Sequence, residues 1–166
     1  MKKYGIFYAS STGHTADAAR RIAAALGVEA EDIHDVAKTA PSRLGDYEVC
    51  ILGSPTYGAG DMQPYMEDFV DGARVLDLQG HKLAFFGTGD ETMSHTFCSA
   101  VGDMAKSLAH TGARLIGEYD GRGYVFEETE AEIAPGVYYG LMLDNVNHAE
   151  LTDSRISAWA AKLGTE

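Results

Sequence analysis

Apolar runs alternate with amphipathic segments along the whole chain. "YGIFY" (4–8) has the length and composition of a buried strand. From Thr15 to Leu26 the period lengthens, and Ala18, Ile22 and Leu26 (or Ala25) share a helical face that Gly27 ends. Ile33 and Val36 mark a weak second strand. "YEVCILG" (47–53) is a third, with the near-continuous apolar content of a sheet covered on both faces. Pro64 to Val70 predicts a short helix with proline in its first turn. "KLAFFG" (82–87) is a fourth strand. Thr96 to His110 follows as a helix, with Val101, Met104, Ala105 and Leu108 inward and Gly112 beyond its end. "ARLIGEY" (113–119) begins a fifth strand. The rhythm breaks at "DGRGYVFEETEAEIAPG" (120–136), which is acidic and turn-rich. It resumes with the strand-like "VYYGLML" (137–143) and a last helix, "TDSRISAWAAKL" (152–163), capped by Thr152. The simplest account is a fifth strand interrupted by an excursion of about 20 residues, longer than an ordinary connection.

This alternation implies right-handed crossovers and an α/β doubly wound, three-layer sandwich, a parallel sheet with helices on both faces. The 166 residues suit a single domain over 1–166.

Charge narrows the partners. Lys plus Arg number 13 and Asp plus Glu 25, a formal net charge of −12. Such a chain is unsuited to nucleic acid or to anionic membranes, but suited both to solubility and to steering toward a basic partner. No apolar run approaches a membrane span, and "MKKYGIFYAS" reaches serine too soon for a secretion signal, so a cytoplasmic location is expected. There, Cys50 and Cys98 are expected reduced and buried. The six histidines and two cysteines show no metal-ligand spacing.

The chemistry gathers where strands end. In open α/β sheets ligands bind beyond the carboxyl ends of the strands. "SSTGHT" (10–15) lies between the first strand and the first helix. A helix start offers unpaired N–H groups and partial positive charge. Ser10, Ser11, Thr12 and Thr15 add hydroxyls, and Gly13 permits close approach. The lysine of a triphosphate loop and the three glycines of a dinucleotide fingerprint are both missing. A neutral donor cage suits a phosphate monoester that is held and never transferred; the alternative is an ordinary helix cap. "GSPTYGAGDMQP" (53–64) and "GTGDETMSHTF" (87–97) end the third and fourth strands at the same rim. Three glycine-rich loops there define a cleft for a flat aromatic cofactor with a phosphate tail. Tyr57 is placed to stack on the ring, and Thr88, Gly89 and Asp90 to cover its other side. Taken singly, Tyr57 and Asp90 also read as turn residues.

On "SSTGHT" (10–15), "SPTYGAGD" (54–61), "FFGTGD" (85–90) and "YYGLMLDNVNHAELTDSRISAW" (138–159), the chain resembles a flavodoxin over essentially its full length. The interrupted last strand resembles the long-chain class. The resemblance implies a five-stranded parallel sheet of order 2-1-3-4-5 with an insertion in its last strand, and FMN as cofactor. It also implies FMN-binding residues: Ser10, Ser11, Thr12, Gly13, His14 and Thr15 around the phosphate, and Pro55, Thr56, Tyr57, Gly58, Ala59, Gly60, Thr88, Gly89 and Asp90 around the ring. The family usually carries a tyrosine four residues after the GTGD aspartate. Here Ser94 has that spacing, the loop is one residue short, and Met93 or His95 is left to cover that face. The first-loop aromatic is tyrosine where tryptophan is common.

The implied function is low-potential, one-electron transfer with FMN shuttling between semiquinone and hydroquinone; the chain is a carrier and not a catalyst. Two levers set the energies. A flip of the Gly58–Ala59 peptide turns its carbonyl toward the flavin, and Asp61, Asp90 and Glu91 repel further negative charge. The implied partners are ferredoxin/flavodoxin-NADP-type reductases and other low-potential oxidoreductases, met by a monomer, with 120–136 as a further recognition segment or a neutral insertion. The runner-up is an FMN-dependent NAD(P)H:quinone oxidoreductase. A signalling receiver domain fails, because 9–12 is "ASST" and 54–57 is "SPTY", without the acids it needs. A phosphate-ligand module without redox activity stays open.

Overall fold

The structure is a computed structural model that describes residues 1–92 and 95–166. In chain order its elements are β1 (Lys2–Tyr8), α1 (His14–Leu26), β2 (Ile33–Asp35), β3 (Tyr47–Tyr57), β4 (Asp61–Met62), α2 (Pro64–Ala73), β5 (Lys82–Thr88), α3 (Ser99–Leu108), β6 (Arg114–Leu115), β7 (Glu132–Ala134), β8 (Val137–Tyr138), β9 (Leu141–Leu143) and α4 (Thr152–Leu163). The parallel sheet runs β2-β1-β3-β5, and two short strands share the far edge of β5. β6 lies along its first half (Lys82↔Arg114) and β9 along its second (Phe86↔Leu141, Thr88↔Leu143). The expected order, with a divided fifth strand, is therefore present.

Neighbouring residues of a strand point to opposite faces, so apolar pairs supply both cores. Ile6, Ile51 and Phe86 meet Ala18 and Ile22 of α1 and Ile156 and Trp159 of α4. Phe7, Leu52 and Phe85 meet Met66 and Phe69 of α2 and Val101 and Met104 of α3. Each fully buried side chain of this size contributes about 1.5–3 kcal/mol. On α1, Leu26 is half-buried and Ala25 exposed, which decides between the two expected face residues.

Several boundaries differ from expectation. The run 137–143 is two strands. Val137–Tyr138 pairs antiparallel with β7, whereas Leu141–Leu143 joins the main sheet. Gly140 divides them because a Cβ there would lie 2.0 Å from the Phe85 carbonyl oxygen, so the backbones touch. The fifth strand pairs only at Arg114–Leu115 rather than over 113–119. Val36 leaves the sheet because the Asp35 carboxylate accepts from Ala37 N (2.9 Å) and turns the chain. α3 starts at Ser99 rather than Thr96, since Cys98 has φ 50° and cannot continue a helix. Thr152 is not a cap: a short 3-10 turn (Ala149–Leu151) precedes it, and its hydroxyl donates to Asn145 Oδ1 at 2.6 Å. The excursion packs aromatics onto the α3 side, with Tyr124 and Phe126 against Phe97, and Tyr124 donates its hydroxyl to the Met142 carbonyl.

Cys50 and Cys98 are buried free thiols. Burial pushes Cys50 up to about 12 and Cys98 further, so neither supplies a thiolate. Among the described residues no His, Cys, Asp or Glu group can hold a metal ion, and no helix is long and apolar enough to cross a membrane.

Candidate functional site

β1, β3, β5 and β9 all end at one rim. After β1, the Ser10 hydroxyl accepts from Gly13 N (3.0 Å), closing the turn into α1. The helix begins from Gly13 at φ 93°, and no side chain caps it. Ser11, Thr12, Gly13 and His14 are exposed around this uncapped start. Thr15 is the exception: it is buried, and its hydroxyl is 2.9 Å from that of Thr88, so it links the first loop to the end of β5.

The second loop is shorter than its sequence suggested. β3 continues through Ser54, Pro55, Thr56 and Tyr57 and folds back antiparallel onto β4 (Thr56↔Met62, Tyr57↔Asp61). The turn closes with Gly60 N donating to Tyr57 O (2.9 Å), with Gly58 at φ 48° and Gly60 at φ 107°; Ala59 is exposed at its tip. The Thr56 hydroxyl accepts from Ala100 N (3.0 Å) and caps α3. The Tyr57 hydroxyl is buried with no hydrogen-bond partner among the described residues. Gln63 went unnoticed in the sequence. It is 5% exposed, its carbonyl accepts from Tyr65 N (2.6 Å) and Met66 N (3.3 Å) to cap α2, and its amide reaches Ser11 Oγ (3.4 Å).

In the third loop, Gly89 N donates to Leu143 O (2.9 Å). Asp90 is the turn-capping aspartate: its Oδ1 accepts from Thr92 N (2.8 Å), Thr92 Oγ1 (2.6 Å) and Asn147 Nδ2 (2.7 Å). The bonds from Thr92 hold its carboxyl below the usual range, against a smaller upward push from burial. Thr56, Gly58, Gly89, Asp90 and Phe97 line a slot of about 50 Å³ between the second and third loops. His95 is exposed and turns to the excursion, with Nε2 3.2 Å from Glu127 and Nδ1 3.6 Å from Glu128. Met93 lies outside the described residues.

A fourth segment completes the rim. Asp144 is fully buried. Its Oδ1 accepts from Val146 N (2.9 Å) and Asn147 N (2.8 Å), and its Oδ2 from Glu91 N (3.1 Å) and Asn147 Nδ2 (2.9 Å). Residues 144–147 thus brace the third loop. The signal for them was available: the last strand ends at the same rim, and Asp and Asn after a strand favour such turns. A more voluminous groove, about 570 Å³, lies at the opposite end of the sheet beside Lys2, Asp32, Arg43 and Tyr47. There Lys2 pairs with Asp32 and Glu31, and Arg43 with Asp46. It has neither a helix start nor an orphaned group.

A doubly wound sheet whose rim carries an uncapped helix start ringed by hydroxyls, beside a glycine hairpin bearing an aromatic ring, defines an α/β protein of the mononucleotide-binding kind. The family described as Flavodoxin matches residues 6–159. A flavodoxin of Nostoc sp. strain PCC 7120 is 34% identical, covering 99% of this chain and 97% of the relative; flavodoxin 1 of Escherichia coli K12 is 33% identical, covering 98% and 93%. Among solved structures, Fusobacterium nucleatum flavodoxin bound to flavin mononucleotide superposes with a TM-score of 0.89 at 27% identity, covering 99% and 98% of the two chains. Oxidised flavodoxin 2 of Bacillus cereus gives 0.75 at 28%, covering 98% of each. The chain belongs to the flavodoxin family.

Proposed function

We propose that the rim cleft holds FMN and that the chain is an electron carrier, not a catalyst by itself, working between one-electron-reduced and two-electron-reduced FMN. Bound FMN supplies the redox chemistry; the chain binds it and sets its energies. The observation that carries the reading is the uncapped first turn of α1, open to a ligand among exposed hydroxyls. Its N–H groups suit a dianionic monoester. Ser10, Ser11 and Thr12 add O–H donors. The orphaned Tyr57 hydroxyl is a second fit, since a buried polar group without a partner costs about 1–3 kcal/mol and a polar cofactor edge relieves it. Pro55 and Thr56 shape the wall, Tyr57 stacks on the ring, and Gly58, Ala59 and Gly60 let the hairpin peptide reorient. Thr88, Gly89 and Asp90 form the opposite lip.

Asp61, Asp90 and Glu91 at the rim, in a chain at −12, make added negative charge unfavourable and so favour a low potential. The same charge favours basic faces on ferredoxin/flavodoxin-NADP-type reductases and other low-potential oxidoreductases, through small transient contacts of a cytoplasmic, monomeric, single-domain protein.

The test compares FMN with riboflavin, which lacks the phosphate. Two charge-assisted bonds from the loop, at about 1.5–3 kcal/mol each, predict a preference for FMN of at least about a hundredfold. Equal affinities refute the phosphate loop. Steady turnover of NADPH with a quinone in the absence of a reductase refutes the carrier.

A further inference from the structure

Behind the third loop lies a set of charged side chains of which the carrier reading uses only the charge of Glu91. Glu91 is 4% exposed; its Oε2 is 2.9 Å from His148 Nε2, and its Oε1 is buried without a hydrogen-bond partner among the described residues. Asp144 is 0% exposed. Arg155 of α4 is 6% exposed; its Nη1 and Nη2 are buried without a partner among the described residues, and its guanidinium lies 4.2 Å over the Tyr124 ring of the excursion. The other nitrogen of His148, Nδ1, is 3.3 Å from Glu150 Oε1, which stands at the surface. Asp90, the remaining acid nearby, is bonded to Thr92 and Asn147.

The Glu91 N–H donates to Asp144 Oδ2 (3.1 Å), so the backbone of the third loop and the Glu91 side chain are both tied to 144–148. A buried carboxylate is costly unless it is paired, and the imidazole is the group within reach of Glu91. We propose that His148 is a positioning residue for the cofactor loop: its Nε2 holds the Glu91 carboxylate and so clamps residues 88–92 against 144–148. Its effect on FMN rests on the cofactor reading above; the clamp itself does not.

The test is amide exchange of the Glu91 N–H by NMR in the full chain, in the wild type, His148→Gln, Glu91→Gln and the double variant at one pH. Protection is expected to fall about fivefold in each single variant, the size of a partly exposed ion pair, and no further in the double variant. Unchanged protection in His148→Gln, or losses that simply add in the double variant, overturns the proposal. FMN affinity is expected to fall about fivefold in His148→Gln; an unchanged affinity overturns the link to the cofactor. If the wild type binds no FMN, the cofactor reading fails while the exchange result still decides the clamp.

Discussion

Asp144→Asn tests whether the brace holds the third loop. The carboxylate takes four hydrogen bonds, two on each oxygen. A carboxamide has one oxygen and one NH2, so whichever way it turns, two N–H donors face another donor. Bonds to a charged group contribute about 1.5–3 kcal/mol each, so losing two costs about 3–6 kcal/mol. Removing a buried charge offsets part of this, leaving about 3 kcal/mol. At this chain length that lowers Tm by roughly 6–12 °C. Urea titration followed by circular dichroism measures the loss, with an unchanged slope marking an intact fold. One of the four bonds, from Glu91 N to Oδ2, ties residues 88–92 to 144–147, so with the amide NH2 on that side FMN should also bind at least about tenfold more weakly. A destabilisation below about 1 kcal/mol would mean that the four contacts are not acting as charge-assisted bonds. Full destabilisation with unaltered FMN affinity would mean that the brace does not position the cofactor loop.

Three further outcomes follow from other parts of the molecule. Tyr47, 1% exposed, donates to Asp32 Oδ1 (2.9 Å) and lies 2.7 Å from His34 Nε2, so Tyr47→Phe should cost about 2 kcal/mol at pH 7 with FMN affinity unchanged. Burial pushes the Asp32 carboxyl up, but bonds from Lys2 and Tyr47 outweigh it and hold it below its ordinary value. The stability it contributes is therefore present above about pH 4 and lost as the pH falls through the folded value, so urea titrations of the two proteins should converge in acid. Gly140→Ala sets a methyl 2.0 Å from the Phe85 carbonyl and should cost about 3 kcal/mol in the same titration by forcing β9 off β5. Gly58→Val meets no neighbour within 4 Å but places a β-branched residue at φ 48°, about 1–3 kcal/mol of strain. It should lower the yield of one-electron-reduced flavin in a stepwise reduction followed by visible absorbance.

What was legible in the sequence followed its periodicities. Ile6 and Phe7, or Phe85 and Phe86, read as apolar neighbours because the sheet is covered on both faces, and Ala18 and Ile22 declared a helix face. The turn from strand to helix at "SSTGHT" was legible because hydroxyl residues and a glycine there break the strand and open a helix. β4 was not, since two residues show no period. The Gln63 cap was not, because glutamine is outside the usual capping set. Thr15 was credited with an open hydroxyl that the fold spends on Thr88, and no local pattern distinguishes a hydroxyl facing a ligand from one facing another element. The buried relay from His34 through Tyr47 to Asp32 joins residues 13 and 15 apart, beyond any helical or strand repeat.

The excursion bears on the site through register. β6 pairs Lys82 with Arg114, and that register continued without a detour would bring Asp120 beside Thr88. The detour instead brings Leu143 to Thr88, and with it Asp144 and Asn147 to the rim. "DGRG", which would otherwise occupy that level, has one carboxylate and no amide side chain. It lacks both the donor that reaches Asp90 and the imidazole that meets Glu91. Dividing the last strand therefore exchanges the residues that stand behind the cofactor loop, and the aromatic cluster of Tyr124 and Phe126 on Phe97 covers the chain that makes the exchange. The brace is a consequence of where the strand resumes, and Gly140, where backbone meets backbone, allows it to resume there.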